Sequence, residues 1–129
     1  MDLQLKDKVT LITGSSRGIG LASAKALAAE GCRIVLSARS ASGLAEANAG
    51  LRASGATVFA QVADITQPDQ AAQLVETAVG AFGGLDILVN NVGGGQGGSH
   101  IADSTDDDWR AVFEVNLVQA LRMMRLALP

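Results

Sequence analysis

The chain has 129 residues, 48% of them apolar and 18% charged, with a formal net charge of −3. That size and balance exclude a disordered chain, allow one domain with its own core, and leave no basic stripe for a nucleic acid. The single cysteine, Cys32, excludes an internal disulfide; with no signal-peptide pattern in Met1–Lys8 and no apolar run near the ~18 residues of a membrane span, a cytoplasmic protein without a membrane partner is expected.

Short β-rich runs alternate with longer helical stretches. Lys8–Thr13 is a strand candidate, and a glycine-rich turn from Gly14 to Gly20 follows it. A helix then runs to about Glu30, where Gly31 stops it. Cys32–Ser37 is the second strand, Ala41–Ser54 the second helix, ended by Gly55, and Thr57–Val62 the third strand. In the third helix Ala71, Leu74, Val75, Ala78, Val79 and Phe82 recur at three- and four-residue spacing, which places them on one face. Pro68 stands near its start, where a missing N–H does no harm, and Gly83-Gly84 closes it. Leu85–Asn90 is the fourth strand and leads into a second glycine-rich loop, Gly93 to Gly98. A last helix opens at Thr105-Asp106-Asp107-Asp108 and is expected to turn Trp109, Val112, Phe113, Leu117, Ala120, Leu121 and Met124 inward. Strand–helix alternation of this length predicts βαβ units and a parallel sheet, and aromatic content of only 3% requires an aliphatic core.

The strongest local pattern is Thr13-Gly14-Ser15-Ser16-Arg17-Gly18-Ile19-Gly20, set directly after a strand and opening a helix. Gly14 lets the chain turn sharply out of the strand. Gly18 brings the backbone close to an approaching pyrophosphate, and Gly20 lets the helix pack tightly on the sheet. The unpaired N–H groups at the helix start add an anion site that needs little formal charge. Glycines alone would mark only a tight turn; the strand–turn–helix setting makes the pattern specific.

That octapeptide resembles the T-G-x-x-x-G-I-G of the short-chain dehydrogenase/reductase family. Asp64-Ile65 resembles the family's acidic site beside the adenine ring. Asn90-Asn91-Val92-Gly93 resembles its N-N-A-G, with Val92 where the family has alanine, and Asn116 matches the asparagine of the family's catalytic tetrad. The resemblance covers the chain from about residue 6 to its end. It implies an α/β fold of the Rossmann type: a doubly wound parallel sheet, here truncated to about four strands in the order 3-2-1-4. It also implies a single NAD(P)-binding domain over residues 1–129, incomplete at its C-terminus. The cofactor would then be held by Gly14, Ser16, Arg17, Gly18, Ile19, Gly20, Arg39, Asp64, Ile65, Asn90, Val92 and Gly93, with Asn116 as the catalytic residue and no metal.

An NAD-binding unit of this type usually carries a carboxylate about 20 residues past the glycines, on the ribose 2′-OH. Here that place reads Ser37-Ala38-Arg39-Ser40. Singly, Arg17 and Arg39 are ordinary loop cations. Together, with the carboxylate missing, they favour NADP(H) over NAD(H), because a guanidinium pairs with a 2′-phosphate in two-pronged, charge-assisted bonds.

Other polar residues have plainer readings. Asp64, Asn90 and Asn91 are also good turn formers. Asn116 sits among apolar residues and needs a partner if buried; the resemblance implies that its carbonyl holds a water and distorts the helix. Thr105 and Asp108 form a capping pattern rather than part of a metal site. His100 is assigned no chemistry.

The family's reaction uses a tyrosine as general acid/base, with a lysine and a serine, and this sequence has no tyrosine. The expectation is therefore the cofactor-binding part of an NADP(H)-dependent alcohol/carbonyl oxidoreductase, acting on a small alcohol or carbonyl compound in a longer parent and inactive by itself. A non-catalytic dinucleotide-binding or regulatory module and a nonfunctional remnant stand as alternatives. An open strand edge and an uncovered helix side would leave the chain marginally stable or homo-oligomeric.

Overall fold

A computed structural model describes residues 1–94 and 100–128. The Gly95–Gly98 part of the second glycine-rich loop lies outside them. The elements run in the order β1 (Val9–Ile12), α1 (Gly18–Ala29), β2 (Arg33–Ala38), α2 (Ala41–Ala53), β3 (Val58–Val62), α3 (Pro68–Phe82) and β4 (Ile87–Val89). A short 3₁₀ turn (Ile101–Asp103), α4 (Asp106–Phe113), a π turn (Glu114–Val118) and α5 (Gln119–Ala127) complete the described chain.

The strands form one parallel sheet in the order β3-β2-β1-β4, as expected for a Rossmann-type fold. All four residues of β1 are buried, and its neighbour β2 is buried at four of its six positions. Near-continuous apolar runs such as Ile34-Val35-Leu36 make sense only in strands covered on both faces. One face carries Val9, Leu11 and Val35 against Leu74, Val75, Ala78 and Met123 of α3 and α5. The other carries Ile12, Ile34 and Leu36 against Ala24 of α1 and Leu44, Ala47 and Leu51 of α2. At the bottom of the sheet Asp86 extends the β1–β4 ladder: its N–H donates to the Val9 carbonyl at 2.9 Å. Its carboxylate accepts from the Val9 N–H at 2.9 Å.

Helix punctuation follows the sequence. Pro68 occupies the first turn of α3, and Gly83, at φ +81°, ends it. Thr105 and Asp108 form a reciprocal capping box, the hydroxyl accepting from the Asp108 N–H and the carboxylate from the Thr105 N–H. Among the described residues, no helix is long and apolar enough to cross a membrane.

The last helix departs from expectation. Trp109, Phe113, Leu117, Leu121 and Met124 face solvent, Phe113 at 52% and Leu121 at 51% exposure. The stripe turned toward the sheet instead carries Gln119 and Met123, both fully buried. Two physical reasons account for the correction. The helix is apolar on more than one face, so spacing alone does not choose between them. The π turn also inserts an extra residue, rotating α5 by about 100° relative to an unbroken α-helix.

Candidate functional site

The C-terminal ends of the strands and the loops that leave them enclose a cleft of about 1120 Å³. Four segments wall it: Thr13–Arg17 from the β1–α1 loop, Ser37–Ser40 at the end of β2, Ala63–Thr66 after β3, and Asn91–Gly94 after β4. This is the crevice outside the carboxyl ends of the strands, where open α/β sheets take their ligands.

The β1–α1 loop is held from below. Ser15 is fully buried; its hydroxyl donates to the Ile12 carbonyl at 2.8 Å and accepts from the Ser37 N–H at 3.0 Å. The turn thus closes with Gly14 at φ +61° and Gly18 at φ +60°, a left-handed region that favours glycine. At Gly20 the requirement is space: a Cβ there would collide with the Gly14 carbonyl and the Asn91 amide. Arg17 then enters α1 in an extended conformation, with no side-chain cap and no acidic residue in the first turn. The leading N–H groups of α1 are the unpaired donors expected of a helix start.

Arg17 and Arg39 line the same cleft. Both are exposed, and among the described residues neither takes part in an ion pair. Ser40 caps α2 through Gly43. Lys25 and Glu46 line the cleft from α1 and α2.

On the β3 side, one carboxylate oxygen of Asp64 accepts from the Thr66 N–H at 3.1 Å and from its hydroxyl at 2.6 Å. Asp64 is thus a turn former and a cleft residue at once. Ile65, buried in the core, anchors the segment, and Arg122 of α5 donates to its carbonyl at 3.1 Å. The same guanidinium pairs with Glu114 at 2.9 Å.

After β4, Asn91 ties the end of that strand to the end of β1. Its N–H donates to the Thr13 hydroxyl at 3.0 Å and its side-chain amide to the Gly14 carbonyl at 3.1 Å. Asn116 lies in the π turn. Its amide accepts from the Gly94 N–H at 3.0 Å and donates to the Gly94 carbonyl at 2.7 Å. A Cβ on Gly93 would crowd the same amide oxygen.

Of the residues singled out in the sequence, Gly14, Ser16, Arg17, Arg39, Asp64, Ile65, Val92 and Gly93 meet at the cleft. Gly18 and Ile19 sit at the exposed start of α1, and Gly20 acts in packing. Asn90 points its amide at the Ala120 carbonyl at 3.5 Å, away from the cleft wall. Asn116 borders the site through Gly94 rather than lining it. Sequence reasoning misses Ser15, Gln119 and Arg122. The signal that marks Asn116, a polar side chain within an apolar stripe, is equally present at Gln119.

The short chain dehydrogenase family model matches residues 8–129. An uncharacterised oxidoreductase of Bacillus subtilis is 42% identical over all of this chain and 48% of its own length. The L-sorbose reductase of Gluconobacter frateurii, solved with NADPH and L-sorbose, superposes with a TM-score of 0.94 at 39% identity, over 100% of this chain and 49% of that one. A short-chain dehydrogenase/reductase of Burkholderia phymatum, solved with NAD, gives a TM-score of 0.89 at 35% identity, over 96% of this chain and 44% of that one. With its sheet order, its glycine turn and its sequence agreeing from end to end, the chain belongs to the short-chain dehydrogenase/reductase family. It spans about half the length of the relatives it matches.

Proposed function

We propose that the chain is the cofactor-binding part of an NADP(H)-dependent oxidoreductase that interconverts an alcohol and a carbonyl compound. The observation that carries this reading is that Arg17 and Arg39 both line the cleft beside the glycine turn, with no carboxylate at the end of β2. The donor set suits a dinucleotide: open backbone at Gly18 and free N–H groups at the start of α1 for the pyrophosphate, and two guanidinium groups for a 2′-phosphate. Asp64 and Ile65 stand on the adenine side, and Val92 and Gly93 on the nicotinamide side. Bound NADPH would supply the hydride, and the protein would orient the ring and exclude water. Relatives have been solved with NADPH and with NAD, so the preference rests on the two arginines. We also read residues 1–129 as one cofactor-binding domain of a cytoplasmic protein.

A second reading has its own observation. With no tyrosine in the sequence, these residues lack the family's proton donor, and Asn116 alone cannot handle the proton on a substrate oxygen. By itself the chain would bind the dinucleotide without turning it over.

Titration of the chain with NADPH and NADH, followed by nucleotide fluorescence, tests the assignment. Arg39→Asp is expected to weaken NADPH roughly a hundredfold, the scale of a lost charge-assisted bond plus a new repulsion, and to improve NADH. An unchanged preference would refute the choice of cofactor.

A further inference from the structure

Gln119 is a polar side chain with zero exposure, packed between α5 and the sheet. Its side-chain nitrogen donates to the Val92 carbonyl at 2.9 Å and to the Val115 carbonyl at 2.9 Å. Because both partners are acceptors, the orientation of the amide is determined: nitrogen toward the carbonyls, oxygen away. That oxygen is buried and has no partner among the described residues. A buried amide only half satisfied is a poor way to fill a core, where an apolar side chain of the same volume would do better.

The two bonds do distinct jobs. In an α-helix the Gln119 N–H would bond the Val115 carbonyl four residues back. In the π turn it bonds the Glu114 carbonyl instead, so Val115 loses its regular partner. The side chain of Gln119 replaces that bond and therefore stabilises the π geometry. With its second proton it grips Val92, whose side chain closes against bare Gly14, leaving a hypothetical Gly14 Cβ only 3.1 Å from Val92 Cγ2. Three residues earlier, Asn116 grips Gly94. Two side-chain amides thus hold the loop that leaves β4 at two points, and Gln119 also holds the turn that presents Asn116.

We propose that Gln119 is a positioning residue for the nicotinamide half of the dinucleotide. It acts through the Val92–Gly94 rim and the π turn without touching the cofactor, and it rests on the dinucleotide reading above. The adenine half would be held by Asp64, Ile65, Arg17 and Arg39, to which Gln119 makes no bond, so the two halves should respond differently.

Gln119→Met keeps the volume and removes both donors. In this variant NADPH is expected to bind about five- to tenfold more weakly, the scale of one or two lost hydrogen bonds, while 2′,5′-ADP, which lacks the nicotinamide half, binds as before. As a second measurement, hydrogen exchange at the Gly94 amide should accelerate at least fivefold in Gln119→Met and in Gln119→Leu, with exchange in β1 and β2 unchanged. Equal weakening of both ligands, or no weakening of either together with unchanged Gly94 exchange, would overturn the role of Gln119. If the unmodified chain binds neither NADPH nor 2′,5′-ADP, the dinucleotide reading itself falls and takes this role with it.

Discussion

The two ends of the molecule solve the same problem, burying a helix on a sheet, to different degrees of completion. At the β1–α1 corner the inward side is closely packed. Gly20 lies against Gly14 and Asn91 with no room for a methyl group, and Ser15 spends its hydroxyl on two strands. Along α4 and α5 the inner stripe is equally well used, by Gln119, Arg122 and Met123, but the outer stripe of Trp109, Phe113, Leu117 and Leu121 is open. The first region is limited by space; the second leaves an apolar stripe exposed among the described residues. Changes at the corner should therefore cost fold and ligand together, whereas changes on the outer stripe should alter association and leave the fold alone.

The sharpest test is Gly20→Val. Its side chain would strike backbone at Gly14, which cannot yield as a flexible side chain would. We expect a loss of about 3 kcal/mol or more, enough to unfold much of a marginally stable chain, read by circular dichroism and chemical denaturation. A variant that folds as well as the parent would mean that the corner is looser than its geometry implies. Ser15→Ala should come next, at about 2 kcal/mol, because it leaves the buried Ser37 N–H without its acceptor.

Legibility in the sequence differs between the same two regions. At the corner, local rules suffice: a strand, a glycine turn and a helix start are each specified by residues next to one another, and Gly14, Arg17 and Gly18 fall where the pattern predicts. The capping box at Thr105 follows from an equally local pattern, whereas the strand order is implied by the family resemblance of those motifs. In the last helix, apolar residues on several faces leave the inward side undetermined. Composition does not announce the π turn over Glu114-Val115-Asn116-Leu117-Val118; only the resemblance at Asn116 implies a distorted helix there. Gln119 and Arg122 escape sequence reasoning because their partners, the carbonyls of Val92 and Ile65, are backbone groups that come near only after the sheet has formed.

Thr105→Ala probes the second region at smaller scale. It removes the hydroxyl that accepts from the Asp108 N–H, and the loss should be about 1 kcal/mol, the ordinary worth of an N-cap. Because α4 is short and exposed, the effect should show as faster hydrogen exchange in α4 before it moves the global melt. A fall in overall stability as large as that of Ser15→Ala would mean that α4 folds as one unit with the sheet.

The smallest expected change in stability carries the most information about the open face. Leu121 is half exposed and belongs to the outer stripe, where the Trp109 and Phe113 rings already lie near one another at a tilt, with centroids 6.4 Å apart. Leu121→Glu places a charge on that stripe without disturbing Gln119 or Met123 beneath it. Stability of the isolated fold should change by no more than about 0.5 kcal/mol, as at other surface positions. Association is another matter: an apolar face of this kind draws a second copy or aggregates. Light scattering at micromolar concentration should therefore find the parent chain oligomeric and the Leu121→Glu variant shifted toward monomer, with unchanged NADPH affinity because Leu121 does not line the cleft. A parent chain that is already monomeric, with a sharp two-state melt, would erase the contrast between the two regions: the outer stripe would then be a tolerated surface rather than an interface left open.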